Sequence, residues 1–182
     1  AILYAVIDPA KGKKSISAFL VETNTPGFIV GKVEDKLGLR SSDTASITLD
    51  HCRLPQNNLL GKEGDGFRIA LATLDGGRVG IAAQALGIAQ GCLEESLAHA
   101  KQREQFGQPI SNFQAVQWML ADMATEIDGA RLMTYRAAWL KDCGKSYTTE
   151  AAMAKLYASE VARDVTNDAI QVHGGYGHIT EH

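Results

Sequence analysis

"GDGFRIALATLDGGRVGIAAQALGIAQGCLEESLAHAKQRE", residues 64–104, decides the fold. About 40 residues pass without a proline, and at helical rise they would reach roughly 60 Å. Strong helix formers dominate the stretch. The pair Gly76–Gly77 is the one place where such a helix would bend or divide. Beyond it, Gly80, Ala82, Ala83, Ala85, Gly87, Ala89 and Gly91 give the helix an unusually small-residue surface. Side chains of that size let another backbone or a flat ligand approach closely.

Upstream of residue 64 the pattern changes. Short β-type runs, "ILYAVID" (2–8), "SISAFLVE" (15–22), "GFIVGKV" (27–33) and "ASITLDHCRL" (45–54), alternate with turn residues. The breaks contain Asp-Pro-Ala-Lys-Gly and Asn-Thr-Pro-Gly, which punctuate antiparallel sheet. "ITLD" alternates as a strand with one solvated face would.

Downstream, two more helices are expected. One starts near Asn112, with Phe113, Val116, Leu120, Met123, Ile127, Ala130, Thr134 and Ala137 spaced alternately by three and four. That is the seam of a near-parallel helix bundle. The next starts after "SYTTE", where Thr148 or Thr149 can cap it. Ala151, Ala154, Ala158, Val161, Val165, Ala169 and Val172 repeat the seam, and Gly174–Gly175 stops it. The fold class is therefore α+β: the end of a β-barrel or sheet domain over 1–63, then an up-down helical bundle over 64–182.

Bulk properties narrow the function. Of 182 residues, 45% are apolar, enough for a real core, and the net charge of −3 lacks the basic face that nucleic acid requires. No apolar run is long enough for a membrane span, and no signal peptide leads the chain. Cys52, Cys92 and Cys143 lie far apart without a C-x-x-C pair, which fits reduced thiols inside a cell. His51, His99, His173, His178 and His182 lack the spacing of zinc ligands. The chain opens at "AILYAVID" without methionine and ends at "GGYGHITEH", so it reads as a fragment of a longer protein.

Three clusters carry possible chemistry. In "REQFGQPISNFQ" (103–114), Arg103 closes the first helix. It suits the negative end of the helix dipole, and it is equally the best side chain for a phosphate or pyrophosphate. Phe106 can cap the bundle core, and Gln114 can be a solvated helix-start residue. In "QVHGGYG" (171–177), adjacent glycines either stop a helix or bring backbone N–H groups close to a ligand. This is not a dinucleotide fingerprint, which follows a strand and opens a helix. In "LDGGR" (74–78), Asp75 and Arg78 share a helix face, as a surface ion pair or as a polar clamp for an extended, amide-rich ligand.

Taken together, "ISAFLVETNTPGF", "KLGLRSSDTASITLDHCRLPQNNLLGKEGDGF", "LDGGRVGIAAQALGIAQG", "REQFGQPISNFQAVQWMLADMA" and "AAMAKLYASEVARDVTNDAIQVHGGYG" resemble the acyl-CoA dehydrogenase family, nearest its short-chain, butyryl-CoA-type members. Each piece alone is weak; the ordered set, across essentially the whole chain, is specific. The resemblance implies that 1–63 is the C-terminal part of a central β-domain and 64–182 an incomplete C-terminal helical domain. It implies FAD shared between subunits of a dimer of dimers. Arg103 would hold the pyrophosphate beside Gln105 and Phe106, and Gln114 would touch the adenosine side. Gln171, Val172, His173, Gly174 and Gly175 would form the second wall. Asp75, Gly76, Gly77 and Arg78 would contact acyl-CoA. The reaction would be α,β-dehydrogenation in fatty-acid β-oxidation, with electrons passed to electron-transferring flavoprotein, in a bacterial cytoplasm or the mitochondrial matrix. The general base is expected beyond His182. Some members carry it immediately before the helix arginine, and here that position is Gly77. An acyl-CoA oxidase and a non-catalytic helical oligomerisation module are the alternatives.

Overall fold

The computed structural model describes residues 1–180, so His182 lies outside the described residues. Two compact units are present, Ala1–Ala72 and the described residues from Thr73 onward.

In the first unit, β1 (Ile2–Val6) pairs antiparallel with β2 (Ile16–Leu20), which pairs in turn with the short β5 (Leu59–Leu60). β2 is the central strand, and its Ser17 and Ala18 are fully buried. A 3-10 turn opening at Pro9 shortens the first expected strand, because Asp8 ends it by accepting the Ala10 N–H at 3.1 Å. β3 (Phe28–Val33) and β4 (Ala45–Leu49) form a separate two-stranded ribbon with a register shift between Val30 and Val33. Here the expectation of one wet face is corrected. Past Ala45 both faces of β4 are exposed, since nothing but β3 pairs with it and neither face is covered. The strand also ends at Leu49 rather than Leu54, where His51 turns left-handed at φ 49°.

α1 (Gly66–Gln102) runs unbroken through Gly76–Gly77. Burial of Asp75 just before the pair and Ala82 just after it holds the helix where propensity alone would loosen it. A hairpin follows: β6 (Glu104–Gln105) and β7 (Gln108–Pro109). Its turn residues Phe106 and Gly107 have φ of 53° and 80°, the doubly positive pair whose twist suits two-residue hairpins.

α2 (Gln114–Asp142) buries Leu120, Met123, Ile127, Ala130, Thr134 and Ala137. α3 (Thr148–His173) buries Ala151, Ala154, Ala158, Val161, Val165, Ala169 and Val172. The three- and four-residue spacing thus becomes the packed face of each helix. With Ala82, Ala85, Ala89 and Leu93 of α1 these residues, Thr134 and Ala151 apart, form one continuous core. Neither Thr148 nor Thr149 caps α3. Tyr147 holds the cap position without a side-chain bond, and the Thr148 hydroxyl is engaged elsewhere. Among the described residues, no helix is long and apolar enough to cross a membrane.

Candidate functional site

The end of α1 and the end of α3 converge on a cleft of about 540 Å³. Arg103 reaches it because the helix stops just before it. The Arg103 N–H donates to the His99 carbonyl at 2.8 Å, and the Arg103 carbonyl accepts the Ile110 N–H at 2.8 Å as the hairpin closes. Both sides of its backbone are therefore fixed. Its guanidinium carbon stands 5.2 Å from the centroid of the Tyr176 ring, within cation–π range.

The opposite wall comes from α3. His173 donates through Nδ1 to the Ala169 carbonyl at 2.8 Å. Its ring stacks on His99 at 4.4 Å between centroids. Gly174 ends the helix with φ 58° and ψ −130°, a combination essentially reserved for glycine. The chain then folds into a 3-10 turn that lies so close to α3 that a Cβ on Gly177 would stand 2.5 Å from the Ile170 carbonyl oxygen. The glycines therefore lay the turn along the cleft.

Of the residues singled out in the sequence, Arg103, Gln105, Val172, His173, Gly174 and Gly175 line this one cleft. Phe106, Gln114 and Gln171 do not. Phe106 sits at the hairpin tip, 92% exposed, with its ring edge-on to Phe113 at 6.2 Å; it does not cap the core. Gln114 and Gln171 are exposed helix residues. Sequence reasoning passed over His99, Ile110, Tyr176 and Ile179, which also line the cleft. His99 was within reach, since it lies one turn before Arg103 on the same helix face.

Among the described residues, the lining offers a guanidinium, two imidazoles, an amide and glycine backbone, and no carboxylate. That donor set fits a phosphate-bearing group, and added Cβ atoms at Gly174 or Gly175 would meet nothing within 4 Å. Beside it, α1 and α3 leave a second groove of about 640 Å³ that includes Cys92 and shares His173. Burial pushes the Cys92 thiol above its ordinary pKa. Among the described residues no group of three His, Cys, Asp or Glu side chains converges as metal ligands would.

The "LDGGR" stretch lies elsewhere on α1. Asp75 is 8% exposed, and its Oδ1 accepts from Arg78 Nη1 at 2.5 Å while its Oδ2 accepts from the Thr148 hydroxyl at 2.6 Å. The pair is thus a partly buried clasp rather than a surface ion pair. Gly77 borders open space, and a Cβ on Gly76 would lie 3.6 Å from Lys141 Nζ.

Comparison with known proteins bears on the family and the fold. Residues 64–182 match the family described as acyl-CoA dehydrogenase, C-terminal domain. The acryloyl-CoA reductase (NADH) of Anaerotignum propionicum is 51% identical over 181 residues, covering 100% of this chain and 46% of that protein. Butyryl-CoA dehydrogenase from Megasphaera elsdenii superposes with a TM-score of 0.95 at 48% identity, covering 100% of this chain and 47% of that one. A structure described as the electron transferring flavoprotein of Acidaminococcus fermentans matches with a TM-score of 0.95 at 54% identity, over 100% of this chain and 48% of that one. The chain spans about half the length of the relatives it matches. By its helical architecture and by this match over most of its length, the chain belongs to the acyl-CoA dehydrogenase family.

Proposed function

We propose that this chain is part of an FAD-dependent dehydrogenase of short-chain acyl-CoA thioesters that passes electrons to an electron-transferring flavoprotein. The observation that carries the reading is the meeting of Arg103 with His173, Gly174 and Gly175 around one cleft. When bound, FAD supplies the acceptor for the β-hydride of the substrate. This chain's own residues bind and orient. Arg103 presents paired N–H donors to the pyrophosphate, Gln105 and His173 lie on the same lining, and the glycine turn keeps side chains out of the way. Phe106, Gln114 and Gln171 lie off this cleft and would meet cofactor only where a second subunit brings it to the hairpin and the exposed helix starts. The LDGGR segment contributes the acyl-CoA contact, with Arg78 as its half-buried cation. No general base is assigned here: Gly77 has no side chain, and the Asp75 oxygens are committed to Arg78 and Thr148.

Shared cofactor requires a second subunit, and α2 supports one. Opposite its core seam it carries Trp118, Thr125, Leu132, Tyr135 and Trp139, all exposed, again at three-, four- or seven-residue intervals. A dimer of dimers in a bacterial cytoplasm or mitochondrial matrix is the assembly proposed.

Arg103→Ala in the full-length protein tests the reading. Flavin content after dialysis, read from the 450 nm absorbance, should fall at least about tenfold relative to wild type, as expected when a charge-assisted pair of bonds is lost. Unchanged flavin would refute it. The reductase relative favours a second reading, the same site run towards reduction of an enoyl-CoA. NADH-dependent reduction of acryloyl-CoA, without reduction of an acceptor flavoprotein by butyryl-CoA, would select it.

A further inference from the structure

Thr148 is the first residue of α3, one position past the N-cap Tyr147, where a hydroxyl can still turn back to the local backbone. It makes no such cap. Its hydroxyl donates instead to Asp75 Oδ2 at 2.6 Å, across 73 residues of sequence. A carboxylate held by one partner can still rotate about its last side-chain bond. Held at Oδ2 by α3, the Asp75 carboxylate has its plane fixed, and Oδ1 is left facing Arg78 Nη1 at 2.5 Å.

The exposures of the two charged groups differ. The Asp75 side chain is 12% exposed and that of Arg78 is 37% exposed. Asp75 uses one of the five guanidinium donors, so Arg78 keeps the others for a ligand. Leu74 is exposed and Gly77 borders open space, so the same stretch of α1 leaves room beside the guanidinium. The group that can meet a ligand is Arg78, and the group that holds it in place is buried behind it.

We propose that Thr148 is a positioning residue: through Asp75 it aims Arg78 at a carbonyl or phosphate oxygen of the bound thioester. This rests on the reading of LDGGR as the acyl-CoA contact. It shifts the direct contact from Asp75 to Arg78 and adds a residue from a different helix to the site.

The test uses the full-length, flavin-loaded enzyme with butyryl-CoA as substrate. Thr148→Val should raise KM about fivefold while kcat stays within about twofold, because a bond to a charged group is lost away from the reacting atoms. Thr148→Ser, which keeps the hydroxyl, should return KM to within about twofold of wild type. Asp75→Ala combined with Thr148→Val should be no worse than Asp75→Ala alone, since the two act in series. Thr148→Ala carries the same expectation as the valine variant and serves if valine impairs folding. An unchanged KM in both variants, no rescue by serine, or multiplying effects in the double variant would overturn the proposal. A purely structural role would lower Tm and leave KM unmoved. Wild-type enzyme that neither binds nor turns over butyryl-CoA would instead overturn the functional reading on which the proposal depends.

Discussion

Phe106 holds a left-handed backbone at φ 53° while its ring is 92% exposed. For a bulky side chain that conformation costs roughly 1–2 kcal/mol, and exposure returns little of it. Strain kept at an exposed tip is what a binding surface looks like before its partner arrives. Phe106→Gly should therefore leave Tm unchanged or raise it by a few degrees, yet lower flavin retention in the full-length protein; a thermal melt and the flavin content after dialysis read the two effects. Cysteine chemistry separates along similar lines. Burial raises the Cys92 thiol pKa, and Cys143 is exposed at the end of α2. At pH 8 less of Cys92 is thiolate, so iodoacetamide should label Cys143 first, and peptide mass spectrometry would show the order.

At the scale of the element, the seams carry the stability. Ile127 is among the largest fully buried side chains and belongs to the core shared by α1, α2 and α3. Ile127→Ala should cost about 2–5 kcal/mol, visible as a lower urea midpoint with an unchanged slope. These seams were legible because burial against parallel neighbours imposes a spacing that propensity does not. The α3 set from Ala151 to Val172 was read residue for residue. The continuity of α1 was not legible, because Gly76–Gly77 argues for a break and only burial on either side overrides it. The hairpin was read as a tight break but not as paired strands, since Phe in place of the usual Asn before Gly hides the turn type. The Thr148 bond was invisible: 73 residues separate its ends, and local spacing predicts a cap there.

For the whole molecule, α2 has two apolar faces and the chain buries only one. Trp118→Glu together with Leu132→Glu should shift the assembly to smaller species in light scattering while helicity by circular dichroism is kept. A monomeric wild-type protein would remove the basis for a shared cofactor. The core of α3 has a further consequence. Methyl groups at Ala151, Ala154 and Ala158 make up the first half of the buried face, where short side chains interlock less than those of Val161, Val165 and Val172. A one-residue slip would swing the Thr148 hydroxyl about 100° around the helix and pull it off the carboxylate. The hydroxyl thus acts as an indexing pin, a directional bond that sets the phase of one rod against another beside the hydrocarbon contact.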